Sequence, residues 1–335
     1  MNLDCAWWLG LPAWQWQALG LTAAHTPRAQ FAPSALENLL AMPAFKALLP
    51  IPILCAIAPA IWWFFRDTWK AMDKEAAYLR IELVEAGKFD KRPLAVLVIV
   101  AVVMTMQEYY GGRSVYEDSI RPWLEQTEAS GARFIQLSRY DELYGFAWWI
   151  FARVLGYAVI PFPVWKLLFP KDSLLDLGLR GRGFGQHVWI YGLCLVVVIP
   201  TMLLVANQPD FGAYYPFYKQ CHRSWFDFMA WEAMYYVQFF ALELFFRGFV
   251  VGALRRSMGS ISIFVMTLPY CMIHYGKPYL EANGAIVAGI VLGSLAARTK
   301  SIYAGFLVHV TVAASMDILA LWHRHAIPTQ MWPGG

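Results

Sequence analysis

The stretch Phe240–Val250 reads FALELFFRGFV and combines a long apolar run with two opposite charges. The charges belong to Glu243 and Arg247, which are four residues apart. In a helix this spacing places both side chains on one face, about one turn apart. Charged side chains within apolar segments of membrane length are rare, face the interior of a helix bundle and mark functional sites. The alternative is a structural ion pair that fixes how the helices pack.

The composition places this pair in a membrane protein. Of the 335 residues, 59% are hydrophobic and 15% are charged, whereas about 25% of the residues in soluble domains are charged. The net charge of +4 comes without a basic run, which argues against nucleic acid as a partner. The five cysteines show no paired spacing, so neither a zinc knuckle nor a disulfide framework is predicted.

The distribution of apolar residues predicts the transmembrane helices, since a helix needs about 20 mostly apolar residues to cross a bilayer. We predict an all-α polytopic membrane protein with about eight transmembrane helices: Pro43–Phe65, Pro93–Tyr110, Tyr144–Phe169, Val188–Ala206, Phe228–Leu254, Ile261–Tyr279, the short Gly284–Ala297, and Ile302–Trp322. Pro161 and Pro163 are expected to kink the third helix. Gly289 and Gly293 form a small-residue pair that lets another helix approach the seventh.

The chain divides into four parts. Residues 1–42 are a Trp-rich N-terminal segment that is expected at the membrane interface. Residues 43–220 hold the N-terminal transmembrane helices and polar loops. Residues 221–325 form the helix core that carries the candidate catalytic groups, and residues 326–335 are a tail. Within the second part, residues 66–92 are predicted to be a polar cytoplasmic connection with helical character.

Lysine and arginine predict the orientation, because they are enriched in cytoplasmic loops. With the N-terminus outside, the inner loops between the predicted helices contain fourteen Lys and Arg residues and the outer segments contain eight. This bias predicts a multi-pass protein with both termini outside, in a bacterial inner (plasma) membrane.

Three polar groups are predicted to meet at similar depth in the membrane. Glu243 lies twelve residues before Arg255, where the turn between the fifth and sixth helices begins. His274 lies twelve residues after Ser262, where that turn ends, so both groups are about 18 Å from the inner surface. His309 enters from the same side to about 14 Å. A buried carboxylate assisted by histidine can take a proton from water, so this cluster suits water activation.

The motifs around these groups resemble those of the CAAX-protease and bacteriocin-processing family, the glutamic-type intramembrane proteases. That family shows Glu-Glu-x-x-x-Arg, Phe-x-x-x-His and His-x-x-x-Asn motifs on successive helices. The matching stretches are Leu242–Arg247, Tyr270–His274 and His309–Ala313, within a similar region from about Trp231 to Leu321. The resemblance implies an intramembrane endopeptidase with a conical catalytic cavity in its C-terminal helix bundle. It also implies no cofactor, a lipid bilayer as surroundings, and a membrane-associated peptide or protein as substrate.

The resemblance also implies roles for single residues. Glu243 and His274 would activate water, and His309 would stabilise the oxyanion of the tetrahedral intermediate. Leu242 stands at the position of the first Glu of the family motif, and Ala313 stands at the position of its Asn. The protein is therefore expected to be a divergent member, and loss of activity is an open alternative.

Further residues are predicted to support the site. Arg247 is expected to keep the neighbouring carboxylate ionised, and Tyr270 replaces the Phe of the second motif. Asp317 lies further outward on the last helix. Glu281 is expected at the outer mouth of the cavity, provided that the sixth helix continues that far, or else as a solvated rim residue. Glu232 is expected either to face the same cavity or to form a structural hydrogen bond.

Three classes of function stay open. The first is the intramembrane endopeptidase, with no metal ligands assigned. The second is a metal-dependent membrane hydrolase, since one Glu and two His could hold Zn²⁺ with one position open, although no His-Glu-x-x-His pattern is present. The third is a membrane scaffold or transporter that keeps the fold without catalysis. Metal analysis separates the first two, and dependence of cleavage on Glu243 separates the first from the third.

Overall fold

A computed structural model describes residues 47–48, 50–132, 134–181, 184–206, 211–277 and 279–334. The predicted interfacial segment 1–42 lies outside the described residues. Within them the secondary structure is helical and contains no strand beyond one isolated bridge. The main helices are α1 (Pro50–Glu85), α2 (Arg92–Tyr110), α3 (Arg121–Ala129), α4 (Leu137–Val154), α5 (Pro161–Leu168), α6 (Phe184–Ala206), α7 (Trp225–Glu243), α8 (Gly252–Met258), α9 (Ile261–Met272), α10 (Tyr279–Thr299) and α11 (Tyr303–His323).

The predicted all-α polytopic class is confirmed. Within the described part of the chain, six stretches are long and apolar enough to cross a membrane: Pro50–Glu85, Arg92–Tyr110, Leu137–Leu168, Trp225–Met258, Ala282–Thr299 and Tyr303–His323. Two shorter apolar helices, Trp189–Pro200 and Ile261–Met272, correspond to the fourth and sixth predicted segments. The eight predicted helices are therefore six full-length candidate spans and two shorter apolar helices.

The first helix is longer than the sequence pattern predicts. Instead of a span to Phe65 followed by a separate connection, α1 runs unbroken for 36 residues. At 1.5 Å per residue it is about 54 Å long, whereas the hydrocarbon core is about 30 Å thick. Its polar end is fixed against the α8–α9 turn, where Glu75 accepts a hydrogen bond of 2.7 Å from Arg255. The end of α1 that follows the apolar span therefore continues as helix beyond the membrane core.

The third and fifth spans both depart from α geometry. In the third span a π-helix occupies Leu155–Val159, and the α-helix resumes at Pro161, one of the two prolines at which a kink is predicted. Proline lacks the N–H that would continue the α pattern, which explains the position of this change. In the fifth span a π-helix over Leu244–Val251 joins α7 to α8. Such segments are frequent at functional sites, and this one carries Arg247.

The prediction of the sixth helix is wrong at its C-terminal end. It was expected to reach Tyr279, but α9 ends at Met272, and the chain turns before α10 begins. Gly276 in this turn has a φ of 91°, a left-handed conformation that favours glycine and ends helices. His274 therefore lies in the turn and not on a helix.

The core surrounds α7 and the π-helix that follows it, which form the most buried of the six candidate spans. Three aromatic side chains of this segment, Phe245, Phe246 and Phe249, are fully buried. Where α9 and α10 pack against each other, a Cβ at Gly289 of α10 would meet the Thr267 side chain of α9 at 2.9 Å. The predicted close helix approach through small residues is thus present, with α9 as the partner.

Candidate active site

Glu243 and Arg247 form the predicted ion pair. Glu243 is the last residue of α7, and Arg247 lies one turn later in the π-helix. Nη1 of Arg247 is 3.0 Å from Oε1 of Glu243, and both side chains are 0% exposed. Removing either partner would leave the other as an uncompensated buried charge, so each requires the other.

The second partner of Glu243 is His309 on α11. Nδ1 of His309 lies 2.8 Å from Oε1 of Glu243, and the imidazole is 18% exposed. The ring stacks on Phe239 of α7, with the centroids 5.2 Å apart and the planes 9° apart. An ionised carboxylate can only accept hydrogen bonds, so the contact requires a proton on Nδ1. Glu243 is enclosed, whereas His309 keeps an exposed edge.

The close approach of α7 and α11 at this point depends on a glycine. Gly305 lies one turn before His309 and is buried against the Glu243 carboxylate. A Cβ at Gly305 would overlap Oε2 of Glu243 and would lie 3.1 Å from its Cδ. The backbone of α11 can therefore lie against the carboxylate only because position 305 has no side chain.

Among the described residues, the hydrogen bond of the His274 ring goes to Tyr270 and not to Glu243, and the water-activating role of Glu243 with His274 stays a prediction. Nδ1 of His274 lies 2.8 Å from the backbone carbonyl of Tyr270, and the two rings are 4.7 Å apart. A carbonyl only accepts, so Nδ1 donates this bond and Nε2 has no proton in the neutral ring. The expectation that His274 lies on the sixth helix is wrong, because α9 ends at Met272 and His274 does not follow the helical direction that the depth estimate assumed.

Tyr270 lies at the centre of the cluster. Its hydroxyl is 3.3 Å from Nε2 of His309. The guanidinium of Arg247 lies over its ring, 3.9 Å from the centroid, which is a close cation–π contact. Tyr270 itself is 1% exposed. It therefore connects the ion pair with His309 and His274.

Two of the predicted supporting acids lie elsewhere. Asp317 is buried and accepts a hydrogen bond of 2.7 Å from Nε1 of Trp231, which is twelve residues before Glu243 on α7. That separation is about 18 Å along a helix, so Asp317 belongs to a different layer of the bundle. Glu232 is buried in that layer as an electrostatic neighbour of Asp317.

Glu281 cannot lie on the same helix as His274, because the chain turns between them. Its backbone belongs to α10, and its side chain lies outside what the structure describes. The two departures from the family motifs are also visible, since Leu242 and Ala313 are both buried and each is 5% exposed. Both positions present only apolar atoms.

Sequence reasoning missed two contributors to the cluster. Replacement of Phe by Tyr at position 270 was treated as a mild change, although it adds the hydroxyl that faces His309. Gly305 was not singled out at all. Its position four residues before His309, on the same helical face, was the available signal.

The described residues contain no group of three or more His, Cys, Asp or Glu side chains arranged to hold a metal ion. Within the cluster itself, Glu243 is already in contact with Arg247 and His309. The arrangement can therefore supply two imidazoles that each hold a proton on Nδ1, one buried ion pair and one phenol.

Comparison with known proteins agrees with the motifs. Residues 224–315 match the family model described as type II CAAX prenyl endopeptidase Rce1-like. The matched region is less than a third of the chain and contains all three motif stretches. No curated protein and no solved structure matches the chain. The predicted resemblance to this protease family is confirmed over residues 224–315, and the match supports a CAAX-type intramembrane protease.

Proposed function

From the premise that residues 224–315 are of the CAAX-protease type, we propose that this protein is an endopeptidase that hydrolyses a peptide bond of a membrane-associated substrate. The observation that carries the proposal is the contact of 2.8 Å between Glu243 and His309, inside the matched region and beside the buried Arg247. We place the catalytic core in residues 221–325, and both termini outside a bacterial inner membrane.

Water activation is assigned to His309, with Glu243 as its positioning residue. The carboxylate holds a proton on Nδ1, so Nε2 carries the lone pair that can accept a proton from water. Glu243 is 0% exposed and His309 is 18% exposed, so the imidazole is the group that water can reach. This allocation revises the expectation that Glu243 acts directly as the base with His274.

The reaction then balances as an ordinary hydrolysis. Water gives one proton to Nε2 of His309 while its oxygen bonds to the carbonyl carbon. The tetrahedral intermediate collapses by breaking the C–N bond, and the imidazolium returns the proton to the leaving amine. Glu243 stabilises the imidazolium, and Arg247 keeps Glu243 ionised throughout.

His274 is proposed as a second contact for the attacking water. Its Nδ1–H is held by the Tyr270 carbonyl, so Nε2 is left as an acceptor. Two acceptors on neighbouring elements can orient one water molecule, which lowers the entropic cost of attack.

Two alternative functions are a membrane scaffold or transporter and a metal-dependent hydrolase. The buried Leu242 favours the scaffold or transporter, because it places no carboxylate at the first position of the motif. The metal-dependent hydrolase predicts that chelators abolish activity. The experiment that tests the endopeptidase also tests the scaffold and the metal-dependent hydrolase.

The test uses purified full-length protein in liposomes and two peptides. One peptide ends in a prenylated Cys followed by two aliphatic residues and a terminal residue, and the other is the same peptide without the prenyl group. Mass spectrometry locates the cleaved bond, and incorporation of ¹⁸O from labelled water identifies hydrolysis. A His309→Ala preparation is the control for contaminating proteases.

We expect cleavage of at least the prenylated peptide by the wild type, loss of cleavage in His309→Ala, and no effect of 1,10-phenanthroline. Folded wild-type protein that cleaves neither peptide would favour the scaffold. Cleavage that stops with the chelator and returns with Zn²⁺ would favour the metal-dependent hydrolase.

A further inference from the structure

We infer that the hydroxyl of Tyr270 donates the hydrogen bond that stabilises the oxyanion in this protein, an inference that rests on the proposed function. The hydroxyl is 3.3 Å from Nε2 of His309, the atom assigned above to the attacking water. A carbonyl group attacked by that water must lie beside the same nitrogen. The phenol is therefore within reach of the oxygen on which negative charge develops.

The contact of His309 Nδ1 with Glu243 determines which group donates in the hydrogen bond between Tyr270 and His309 Nε2. Glu243 requires the proton on Nδ1, so in the neutral ring Nε2 is an acceptor and the phenol of Tyr270 is the donor. At 3.3 Å this bond is longer than the usual range for a strong hydrogen bond. The phenol proton can thus turn from Nε2 to a better acceptor, such as an oxyanion, without loss of a strong contact.

The phenol is also held in place before any substrate binds. Its ring is covered by the Arg247 guanidinium at 3.9 Å, packs edge-on against Phe246 at 5.5 Å, and lies 4.7 Å from the His274 ring. A donor that is fixed in advance in an apolar site stabilises developing charge without the cost of reorganisation. The surroundings of Tyr270 meet that condition.

The helix that carries His309 offers no donor in the corresponding place. Ala313 lies one turn after His309, so it shares its face of α11, and it is buried with only a methyl group to present. An amide at this position would be the expected oxyanion donor from the motif. Position 313 of α11 thus lacks a donor and position 270 of α9 has an additional one, which points to a transfer of this function from one helix to the other.

No covalent step is involved. The Tyr270 hydroxyl keeps its proton throughout. It donates a hydrogen bond to the oxyanion while the tetrahedral intermediate exists, and it donates to Nε2 of His309 again when the products leave.

The experiment removes a single oxygen atom. In the liposome assay, Tyr270→Phe is expected to lower kcat by about 100- to 1000-fold with little change in KM, which is the usual loss for one oxyanion donor. The double variant Tyr270→Phe/Ala313→Asn is expected to recover at least about tenfold of that loss, because it supplies an amide from α11. Thermal unfolding of each variant reports whether the fold is kept.

Tyr303→Phe is the matched control. Its hydroxyl donates a hydrogen bond of the same length, 3.3 Å, to the carbonyl of Leu179, at the N-terminal end of α11. Loss of that bond is expected to leave kcat unchanged. A peptidyl phosphonate that imitates the tetrahedral intermediate is expected to lose affinity for Tyr270→Phe by the same factor as kcat/KM.

The outcomes separate this inference from the proposed function. If folded Tyr270→Phe cleaves at the wild-type rate, or if only KM changes, the inference is wrong and the peptidase proposal stands. If the wild type itself cleaves no peptide and binds no phosphonate, the peptidase proposal fails and the inference fails with it.

Discussion

Oε1 of Glu243 lies 2.8 Å from Nδ1 of His309, across the contact between α7 and α11. The two residues are 66 positions apart in the chain, and only the packing of these helices joins them. The same oxygen is 3.0 Å from Arg247, so one carboxylate orients an imidazole and balances a guanidinium. The consequence is that the proton of the His309 ring is fixed on Nδ1.

Replacement of Glu243 by Gln tests this tautomer. The amide keeps the shape but removes the charge that stabilises a protonated His309, so kcat is expected to fall by about 10³- to 10⁴-fold, as in other carboxylate–histidine pairs. ¹⁵N NMR of labelled histidine is expected to show a redistribution of the His309 proton between Nδ1 and Nε2. Glu82→Gln, at an exposed position on α1, is the control. Full activity in Glu243→Gln would make Glu243 only the structural half of an ion pair.

Arg247→Ala is expected to harm folding more than Glu243→Gln does. The substitution leaves a buried carboxylate with no group from position 247, at a cost of about 3–5 kcal/mol. Gln at position 243 still has an amide oxygen that can accept a hydrogen bond from the Arg247 guanidinium. Expression level and thermal unfolding in detergent measure the difference. The double variant Glu243→Leu/Arg247→Met is expected to regain much of the stability without activity, because it removes both charges. Equal and negligible effects of the two single substitutions would contradict the buried pair.

Gly305→Ala is expected to lower kcat by at least about 100-fold, although glycine has no side chain that could take part in catalysis. The new methyl group would overlap Oε2 of Glu243, so either the carboxylate or α11 must shift and the contact with His309 is lost. A displacement of about 1 Å in such a site commonly costs about 100-fold in rate. Gly284→Ala on α10, where a Cβ meets nothing within 4 Å, is the control and is expected to be neutral. Wild-type kcat in Gly305→Ala would show that the α7–α11 contact is not needed for turnover.

Asp317→Asn is expected to keep cleavage. The side-chain oxygen of Asn still accepts the hydrogen bond from Trp231, and the site lies about 12 Å from His309 along α11 at 1.5 Å per residue. The loss in stability is expected to stay below about 1.5 kcal/mol, the size of one ordinary hydrogen bond. Assays of kcat and thermal unfolding check both statements. A collapse of kcat with unchanged stability would bring Asp317 back into the catalytic site.

The proposed orientation is tested by labelling single cysteines in a variant without the five native ones. Lys88 and Ser130 are both exposed; Lys88 precedes α2 and Ser130 follows α3, so α2 separates them in the chain. A membrane-impermeant maleimide is expected to label Ser130→Cys in intact cells, and Lys88→Cys only after permeabilisation. The reverse pattern would place both termini in the cytoplasm.

The local pattern of the sequence was enough to predict the membrane class, the approximate positions of the helical segments and the pairing of Glu243 with Arg247. These features depend on apolar length and on spacing within one helix, and both are encoded by neighbouring residues. The close packing at Gly289 was predictable for the same reason, since a small residue permits approach whatever the partner is.

Which histidine reaches Glu243 was decided by the tertiary structure. Counting residues from a turn estimates depth, but it does not fix the direction in which a side chain points around the bundle. The end of α9 at Met272 turns His274 away, and the absence of a side chain at Gly305 lets α11 bring His309 to the carboxylate. The position of the Tyr270 hydroxyl beside His309 depends on the same packing, because a contact between separate helices is set by their relative rotation and distance and not by the local sequence of either one.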